Sequence, residues 1–191
     1  MYSFFAYLNR MKYINRWSLM RNTRYENLME HSFIVAQVAH AIALIANEKF
    51  GKNVDADKIG MFAIYHETSE VITGDLPTPI KYYNMEINKA YKDIEKKSND
   101  KILSKLPDEL IIPFDKYINI DKDSYEGKIV KAADRIAAYI KCIEEASQGN
   151  SEFRQAATQI KDKINENILP EVKYFMDNFI PSYSLTLDEL D

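Results

Sequence analysis

The sequence has little of three residue types that mark particular classes of protein. Cys142 is the only cysteine, so an intrachain disulfide is excluded and a reducing compartment such as the cytoplasm is expected. With 5 glycines and 6 prolines in 191 residues, the chain is too poor in turn residues for a fold of many short strands. A chain of this length can bury a sizeable core without disulfides, so we expect one helical domain.

Clusters of positive charge and long apolar runs are also missing. The formal net charge of −4 argues against a nucleic-acid polymer as partner, because binding a phosphate backbone needs clustered lysine and arginine. The longest uncharged run, residues 31–47, contains histidines and is short for a membrane span. Residues 10–16 include three basic residues, so the N-terminal part lacks the uninterrupted apolar stretch of a secretory signal. We therefore expect a cytoplasmic protein without membrane contact, and a small phosphorylated ligand stays compatible with its charge.

What the sequence does contain is apolar residues at helical spacing, which predict an all-α, single-domain helical bundle over residues 1–191. The predicted helices are 2–13, 27–47, 55–74, 84–106, 107–113, 124–147, 151–167 and 171–179. Helix starts are indicated by these capping residues: Asn27 with Glu30, Asp55, Asn84, and Asp123 with Glu126. Pro113 is expected to stop the short helix that contains it, and no internal repeat or linker divides the chain.

The chain has three histidines, and two of them lie on the predicted helix 27–47. His31 falls on the apolar stripe of that helix, so its imidazole should be buried, whereas His40 lies about half a turn away. A lone buried histidine is more often a hydrogen-bonded core residue than a metal ligand. The surroundings of His31 must therefore decide its role.

Residues 64–82 contain the densest set of reactive side chains. His66 and Glu67 follow an apolar helical approach, and Glu70 comes four residues after His66, so His66 and Glu70 are predicted to share one helix face. Gly74 is expected to end this helix, since the two prolines that follow cannot continue it. A rigid loop with acidic and hydroxyl side chains should then border whatever these groups bind.

Asp134 is predicted to point into the domain. Its neighbours one turn away, Val130, Ala137 and Ala138, are small or apolar. A buried carboxylate without a partner costs several kcal/mol, so Asp134 requires a cation. Arg135 is an unsuitable partner, because adjacent helix positions diverge by about 100°.

Three helices thus each offer inward polar groups: His31, His66 with Glu67, and Asp134. One divalent metal ion would satisfy all four side chains at once. Two imidazoles and two carboxylates suit Mn²⁺, Co²⁺, Fe²⁺ or Zn²⁺. The histidines argue against Ca²⁺, and the absence of cysteine from this set argues against a thiolate site. Spacing alone leaves structural roles open for each residue.

This order of residues resembles the HD-domain metal-dependent phosphohydrolases. Three sequence motifs around these residues are more specific, and they resemble motifs of the bacterial YfbR-like 5′-deoxynucleotidases. They are INRWSLMRN at 14–22, EHS at 30–32 and SEVITGDLPTP at 69–79. The similarity runs nearly end to end. One position departs from the family, since Glu67 follows His66 where the family has His-Asp. The extra methylene shifts the carboxylate oxygen by roughly 1.5 Å, so metal binding is expected to survive with altered geometry, affinity or metal preference. A site that has lost its metal is the opposing interpretation.

The resemblance implies hydrolysis of deoxyribonucleoside 5′-monophosphates by a homodimeric enzyme. It assigns Arg16 to the substrate phosphate, Trp17 to the wall of the sugar pocket and Glu70 to general acid/base catalysis. Contacts to the nucleoside are implied for Asp75, Leu76, Pro77 and Thr78. Without the resemblance, Arg16 would be interpreted as a solvated charge and Trp17 as a core residue.

Two other functions remain open at this point. The protein could be an HD-domain hydrolase of a different phosphate ester, such as a nucleoside polyphosphate or a cyclic nucleotide. Alternatively, the chain could be a non-catalytic helical binding module in which Glu67 has abolished metal binding. Metal content followed by a nucleotide panel would separate the three hypotheses.

Overall fold

Helices make up the regular structure of the computed structural model, which describes residues 1–81, 83–166 and 169–191. The α-helices are α1 Phe4–Leu8, α2 Leu28–Phe50, α3 Ala56–Tyr65, α4 Glu70–Thr73, α5 Thr78–Lys81, α6 Met85–Leu103, α7 Asp108–Ile118, α8 Tyr125–Ser147, α9 Arg154–Asn165 and α10 Pro170–Asn178. Short 3₁₀ turns cover Asn9–Tyr13, Ser151–Phe153, Ile180–Ser184 and Leu187–Glu189. Extended pairing within the described ranges is limited to one bridge between Asn15 and Asn27. The predicted all-α class is confirmed.

Helix α2 forms the centre of the main core and packs against α3, α8 and α10. It begins with the predicted capping box of Asn27 and Glu30, and it ends at Gly51, whose φ of 64° is left-handed. By length and composition α2 is also apolar enough to cross a membrane. Its contacts with three helices instead make it the core helix of this fold, and they place His31 in the interior with no exposed surface.

A second, smaller core joins α1, α6 and α7, and it contains Phe4, Ile102, Leu103, Leu106 and Ile118. The prediction that Pro113 stops its helix is wrong, because α7 continues to Ile118. Proline removes the hydrogen bond to the Glu109 carbonyl four residues earlier, but both residues are exposed, so water can satisfy that carbonyl. Burial of Ile118 then holds the last turn of α7 in place.

The predicted helix 55–74 is interrupted at residues 66–69, so the expectation that His66 and Glu70 share one continuous helix face is wrong. His66 Nδ1 lies 2.6 Å from the Ala63 carbonyl, and the Thr68 hydroxyl donates to the Tyr65 carbonyl at 2.7 Å. These side chains take the carbonyl oxygens that an α-helix would need for its next backbone bonds. The chain therefore turns at His66, and Glu70 begins a separate short helix.

Other boundaries differ in detail. Residues 2–13 form α1 and a 3₁₀ turn where one helix was predicted, and 151–153 form a 3₁₀ turn before α9. The cap of α8 is Ser124, whose hydroxyl accepts from Gly127 N, so the predicted Asp123–Glu126 pair is wrong. The predicted helix end near Asn167 lies outside the described residues.

A buried carboxylate, Glu145 near the end of α8, anchors the loop between Arg16 and α2. It accepts hydrogen bonds from Thr23 N at 3.0 Å, from the Thr23 hydroxyl at 2.6 Å and from Asn150 Nδ2 at 2.7 Å. Lys141 pairs with it one turn earlier on α8 and also donates to the Arg24 carbonyl. Burial opposes the ionisation of Glu145, but these donors lower its pKa to about 2.

The variant Glu145→Gln is expected to lose about 3–5 kcal/mol of unfolding free energy at pH 7, because Lys141 becomes a buried cation without an anionic partner. A depressed folded-state pKa adds stability above the ordinary glutamate value of 4.5 and loses it as pH falls towards about 2. Urea unfolding at several pH values should therefore show the variant's deficit shrinking below about pH 4.5.

The exposed pair of Lys173 and Asp177 has the same four-residue spacing and serves as the control. Asp177→Asn should change stability by less than about 1 kcal/mol. A deficit of Glu145→Gln that is as small as this would contradict the anchoring role of Glu145.

Candidate metal centre and substrate site

Four predicted residues from three separate helical segments converge on one point, where His31 is buried and the other three are partly exposed. One donor atom from each of His31, His66, Glu67 and Asp134 can be chosen so that all four lie within 4.8 Å of one another. His31 comes from the first turn of α2, His66 and Glu67 from the turn after α3, and Asp134 from the middle of α8. Their role as metal ligands stays a prediction, but the structure brings together the set that the sequence indicated.

The interruption after α3 orients the imidazole of His66. Its Nδ1 faces the Ala63 carbonyl, so Nδ1 carries the proton and the Nε2 lone pair is free. Nε2 is buried and lies 3.3 Å from Glu67 Oε1 without hydrogen-bond geometry. Among the described residues it has no hydrogen-bond partner. This tautomer is the one that a metal-ligating histidine adopts.

His31 bridges the cluster to Arg16. Its Nε2 lies 3.0 Å from Asp134 Oδ1, and its Nδ1 lies 2.8 Å from Arg16 NH1. Arg135 points away and donates to the Lys163 carbonyl, as the helix geometry predicted. Asp134 therefore finds its partner across the core on α2.

The charges of the cluster favour a cation. Burial disfavours ionisation of Glu67, yet the neighbouring His66, His31 and Arg16 hold the pKa of Glu67 well below its usual range. Burial disfavours protonation of His66 as well, but the Glu67 carboxylate raises the pKa of His66 above its ordinary value. Two carboxylates thus stabilise positive charge at the point where the donor atoms converge.

The residues present fit a divalent transition ion. Metal–ligand bonds of ~2.0–2.2 Å place two donors on one ion at most about 4.4 Å apart, and the separation of 4.8 Å in this structure is close to that limit. The donor types are two imidazoles and two carboxylates, and His66 Nε2 is a buried acceptor that lacks a protein partner within the described ranges. Glu67 belongs to the cluster despite its extra methylene.

Glu70 lies beside the cluster and is almost fully buried. Burial and the charges of Glu67 and Asp75 raise the pKa of Glu70 to about 10, against the opposing effect of Lys81. Lys81 Nζ is 4.0 Å from Glu70 Oε1, whereas Glu70 Oε2 is buried without a partner in the described part of the chain. Burial and the neighbouring carboxylates thus favour the protonated form of the Glu70 carboxyl group.

Arg16 and Trp17 lie on the loop that precedes α2. The Trp17 backbone has a φ of 59°, a left-handed conformation that is rare for a residue with a side chain. Asn22 Nδ2 and Met20 N both donate to the Trp17 carbonyl, and the indole packs edge-on against Phe153 at 5.2 Å. The indole Nε1 is shielded from solvent and unpartnered among the described residues. The loop thus holds an aromatic wall in a strained position, which is common at ligand sites.

The segment after Gly74 meets this loop through Asp75. Asp75 Oδ2 accepts from Trp17 N at 3.3 Å. Leu76 and Pro77 are partly exposed, and Thr78 is exposed at the start of α5. Asp75 thus contacts Trp17. Within the described residues, no hydrogen bond or ion pair joins Leu76, Pro77 or Thr78 to the four predicted metal ligands. Their predicted contacts with a nucleoside stay predictions.

Three residues near the site escaped the sequence analysis. Glu26 binds Arg16, Lys81 approaches Glu70, and Phe153 supports Trp17. Lys81 comes two residues after the loop 75–79, so its position in the sequence could have indicated a positive charge near Glu70. No comparable indication existed for Glu26 and Phe153, because their partners are 10 and 136 residues away along the chain.

Comparison with known proteins places the whole chain in one group. The family model described as 5′-deoxynucleotidase YfbR-like matches residues 3–183. The 5′-deoxynucleotidase YfbR of Escherichia coli is 50% identical over 188 residues, which cover 98% of this chain and 94% of that protein. A 5′-deoxynucleotidase of Vibrio vulnificus is also 50% identical, and the match covers 98% of this chain and 97% of that one.

Solved structures share the fold at lower identity. An HD-domain phosphohydrolase of Listeria innocua superimposes with a TM-score of 0.82 at 23% identity, covering 95% of this chain and 88% of that one. An HD phosphohydrolase of cyanophage S-2L, solved with dA and one catalytic Zn²⁺ ion, has a TM-score of 0.63 at 18% identity over 93% of this chain and 96% of that chain. The fold is the HD-domain helical bundle, and by the family match the chain belongs to the YfbR-like 5′-deoxynucleotidases.

Proposed function

We infer that this protein is a 5′-deoxynucleotidase that releases phosphate from deoxyribonucleoside 5′-monophosphates. The observation that carries the inference is the convergence of His31, His66, Glu67 and Asp134 within 4.8 Å, next to the Arg16 guanidinium. Hydrolysis of a phosphate monoester needs polarisation of the phosphoryl group and a cationic fork for its oxygens, and this arrangement offers both. Membership of the family supports the same reaction.

The four side chains would hold one divalent transition ion, and Mn²⁺, Co²⁺, Fe²⁺ and Zn²⁺ all suit this donor set. When bound, such an ion supplies Lewis-acid polarisation of a phosphoryl oxygen and a more acidic water. Glu67 replaces the aspartate of the His-Asp pattern, and its place in the cluster supports retained metal binding. The alternative of a non-catalytic module is therefore less well supported.

Glu70 is proposed to move the proton. Hydrolysis forms a bond from a water oxygen to phosphorus and breaks the bond from phosphorus to the 5′-oxygen. With its pKa raised to about 10 by burial and neighbouring carboxylates, Glu70 carries a proton that it can give to the leaving 5′-oxygen. It then recovers a proton from the attacking water, which balances the reaction.

Arg16 and Trp17 are proposed to bind the two halves of the nucleotide. NH1 of Arg16 donates to Glu26, so the Nε and NH2 groups remain for phosphate oxygens. The Trp17 indole would lie against C2′ of the sugar, where a 2′-hydroxyl would be buried without a partner. Asp75 holds the backbone of Trp17 and completes this side of the site.

We further propose that the chain forms one domain over residues 1–191, works as a homodimer in the cytoplasm and binds neither a membrane nor a nucleic-acid polymer. The buried thiol of Cys142 supports a reducing compartment. The net charge of −4 supports the absence of a polymer partner. The homodimer rests on the family resemblance.

Phosphate release from a panel of nucleotides tests the proposal. With Mn²⁺ or Co²⁺ added, dAMP should be hydrolysed, and removal of metal by EDTA should lower the rate by more than about a hundredfold. AMP should be a poorer substrate. Faster hydrolysis of a nucleoside polyphosphate or a cyclic nucleotide would favour the hypothesis that another phosphate ester is the substrate. Inactivity on every nucleotide with metal bound would favour the hypothesis of a non-catalytic binding module.

A further inference from the structure

Glu26 is a buried carboxylate that contacts Arg16 through both its backbone and its side chain. Only 6% of the residue is exposed. The Glu26 carbonyl accepts from Arg16 N at 2.9 Å, beside the bridge of Asn15 and Asn27, and Glu26 Oε2 accepts from Arg16 NH1 at 2.7 Å. The two residues are thus fixed opposite each other at the base of the loop.

These contacts restrict one end of the guanidinium. NH1 donates to Glu26 Oε2 at 2.7 Å, and the same nitrogen lies 2.8 Å from His31 Nδ1. The remaining donors, on Nε and NH2, have no partner among the described residues. These form the planar edge that matches two phosphate oxygens.

Arg16 also has competing partners. Asp134, Glu67 and Asp75 all attract its charge, and the first two belong to the proposed metal cluster. Without a fixed contact, the guanidinium would be drawn towards these carboxylates. Glu26 provides the strongest opposing attraction and lies on the side of the loop.

We propose that Glu26 is a positioning residue that holds Arg16 by NH1 so that its other edge stays available for the substrate phosphate. The inference rests on the proposed role of Arg16. Glu26 itself does not contact substrate, because a carboxylate would repel phosphate oxygens. Its effect on the reaction passes through Arg16 alone.

A double-mutant cycle tests this dependence. Glu26→Ala at saturating metal should lower kcat/KM for dAMP by about ten- to a hundredfold, the effect of a misplaced binding group. It should also weaken competitive inhibition by inorganic phosphate. In the Arg16→Ala background, Glu26→Ala should cost less than about twofold more, because the group that it positions is gone.

Glu26→Gln and the double variant guard against a loss of folding, and Glu152→Ala is the control. Glu26→Gln keeps an acceptor oxygen at the same distance and should restore most of the activity. Arg16→Ala with Glu26→Ala removes both buried charges, so neither is left unpaired. Glu152→Ala breaks an Arg–Glu pair at the surface and should leave kcat/KM within about twofold.

The outcomes separate this inference from the proposed function. Multiplicative losses in the double variant, or wild-type activity of Glu26→Ala while Arg16→Ala is impaired, would overturn the positioning role of Glu26 alone. Wild-type activity of Arg16→Ala would overturn both this role and the proposed function of Arg16. Non-additive losses together with rescue by Glu26→Gln would establish the positioning role.

Discussion

Asp134→Ala is expected to lose bound metal and to lower phosphate release from dAMP by more than about a hundredfold. Asp134 supplies one of two carboxylates in the cluster, and its removal leaves His31 and His66 with only Glu67 to offset a divalent charge. Loss of a partner that only orients a metal ligand already lowers affinity or activity by ~10–100-fold, so loss of a ligand should exceed this. Elemental analysis of protein purified without added metal measures the first effect.

Two variants control this experiment. Asp134→Asn keeps the size of the side chain and should retain the folded state, as judged by circular dichroism, while still losing metal. His40→Gln changes a histidine whose Nε2 faces Asp57 at 3.2 Å, outside the cluster, and should leave metal content unchanged. Wild-type turnover of Asp134→Ala at limiting metal would show that the coordination set is wrong.

The second large effect concerns the choice of sugar. The wild-type protein should prefer dAMP to AMP by about ten- to a hundredfold, because a buried 2′-hydroxyl without a partner costs ~1–3 kcal/mol. Trp17→Ala should erode this preference, since the space left by the indole admits water beside the 2′ position. The readout is the ratio of kcat/KM for the two nucleotides.

Alanine is the suitable replacement for Trp17. It pays the same left-handed backbone cost at a φ of 59°, so the comparison reports the side chain and not released strain. Contact with Phe153 is lost as well, which lowers stability, but a ratio of two substrates cancels that loss. An unchanged ratio would exclude Trp17 from sugar discrimination, and equal wild-type rates on both sugars would favour another phosphate ester as substrate.

Short-range patterns were sufficient for most of the helices and for the composition of the site. The capping box of Asn27 and Glu30, the start of α3 after Asp55 and the burial of His31 all follow from residues within one or two turns. The need of Asp134 for a partner other than Arg135 also follows from local geometry, because adjacent helix positions point in different directions. The family resemblance depended on short sequence motifs, and the comparisons with known proteins confirmed the family.

The sequence by itself determined an all-α chain with inward histidines and carboxylates, because helical periodicity and desolvation costs act over a few residues. Only the tertiary structure decided that the helix breaks at His66, that Trp17 is held in a left-handed conformation, and that Glu26 secures Arg16. Each of these outcomes depends on a hydrogen bond or contact that competes with the local preference. At His66 the competing bonds go to carbonyls three residues back, whereas Trp17 is held by Asp75 and Phe153 from distant parts of the chain. Hydrophobic periodicity reports neither kind of contact.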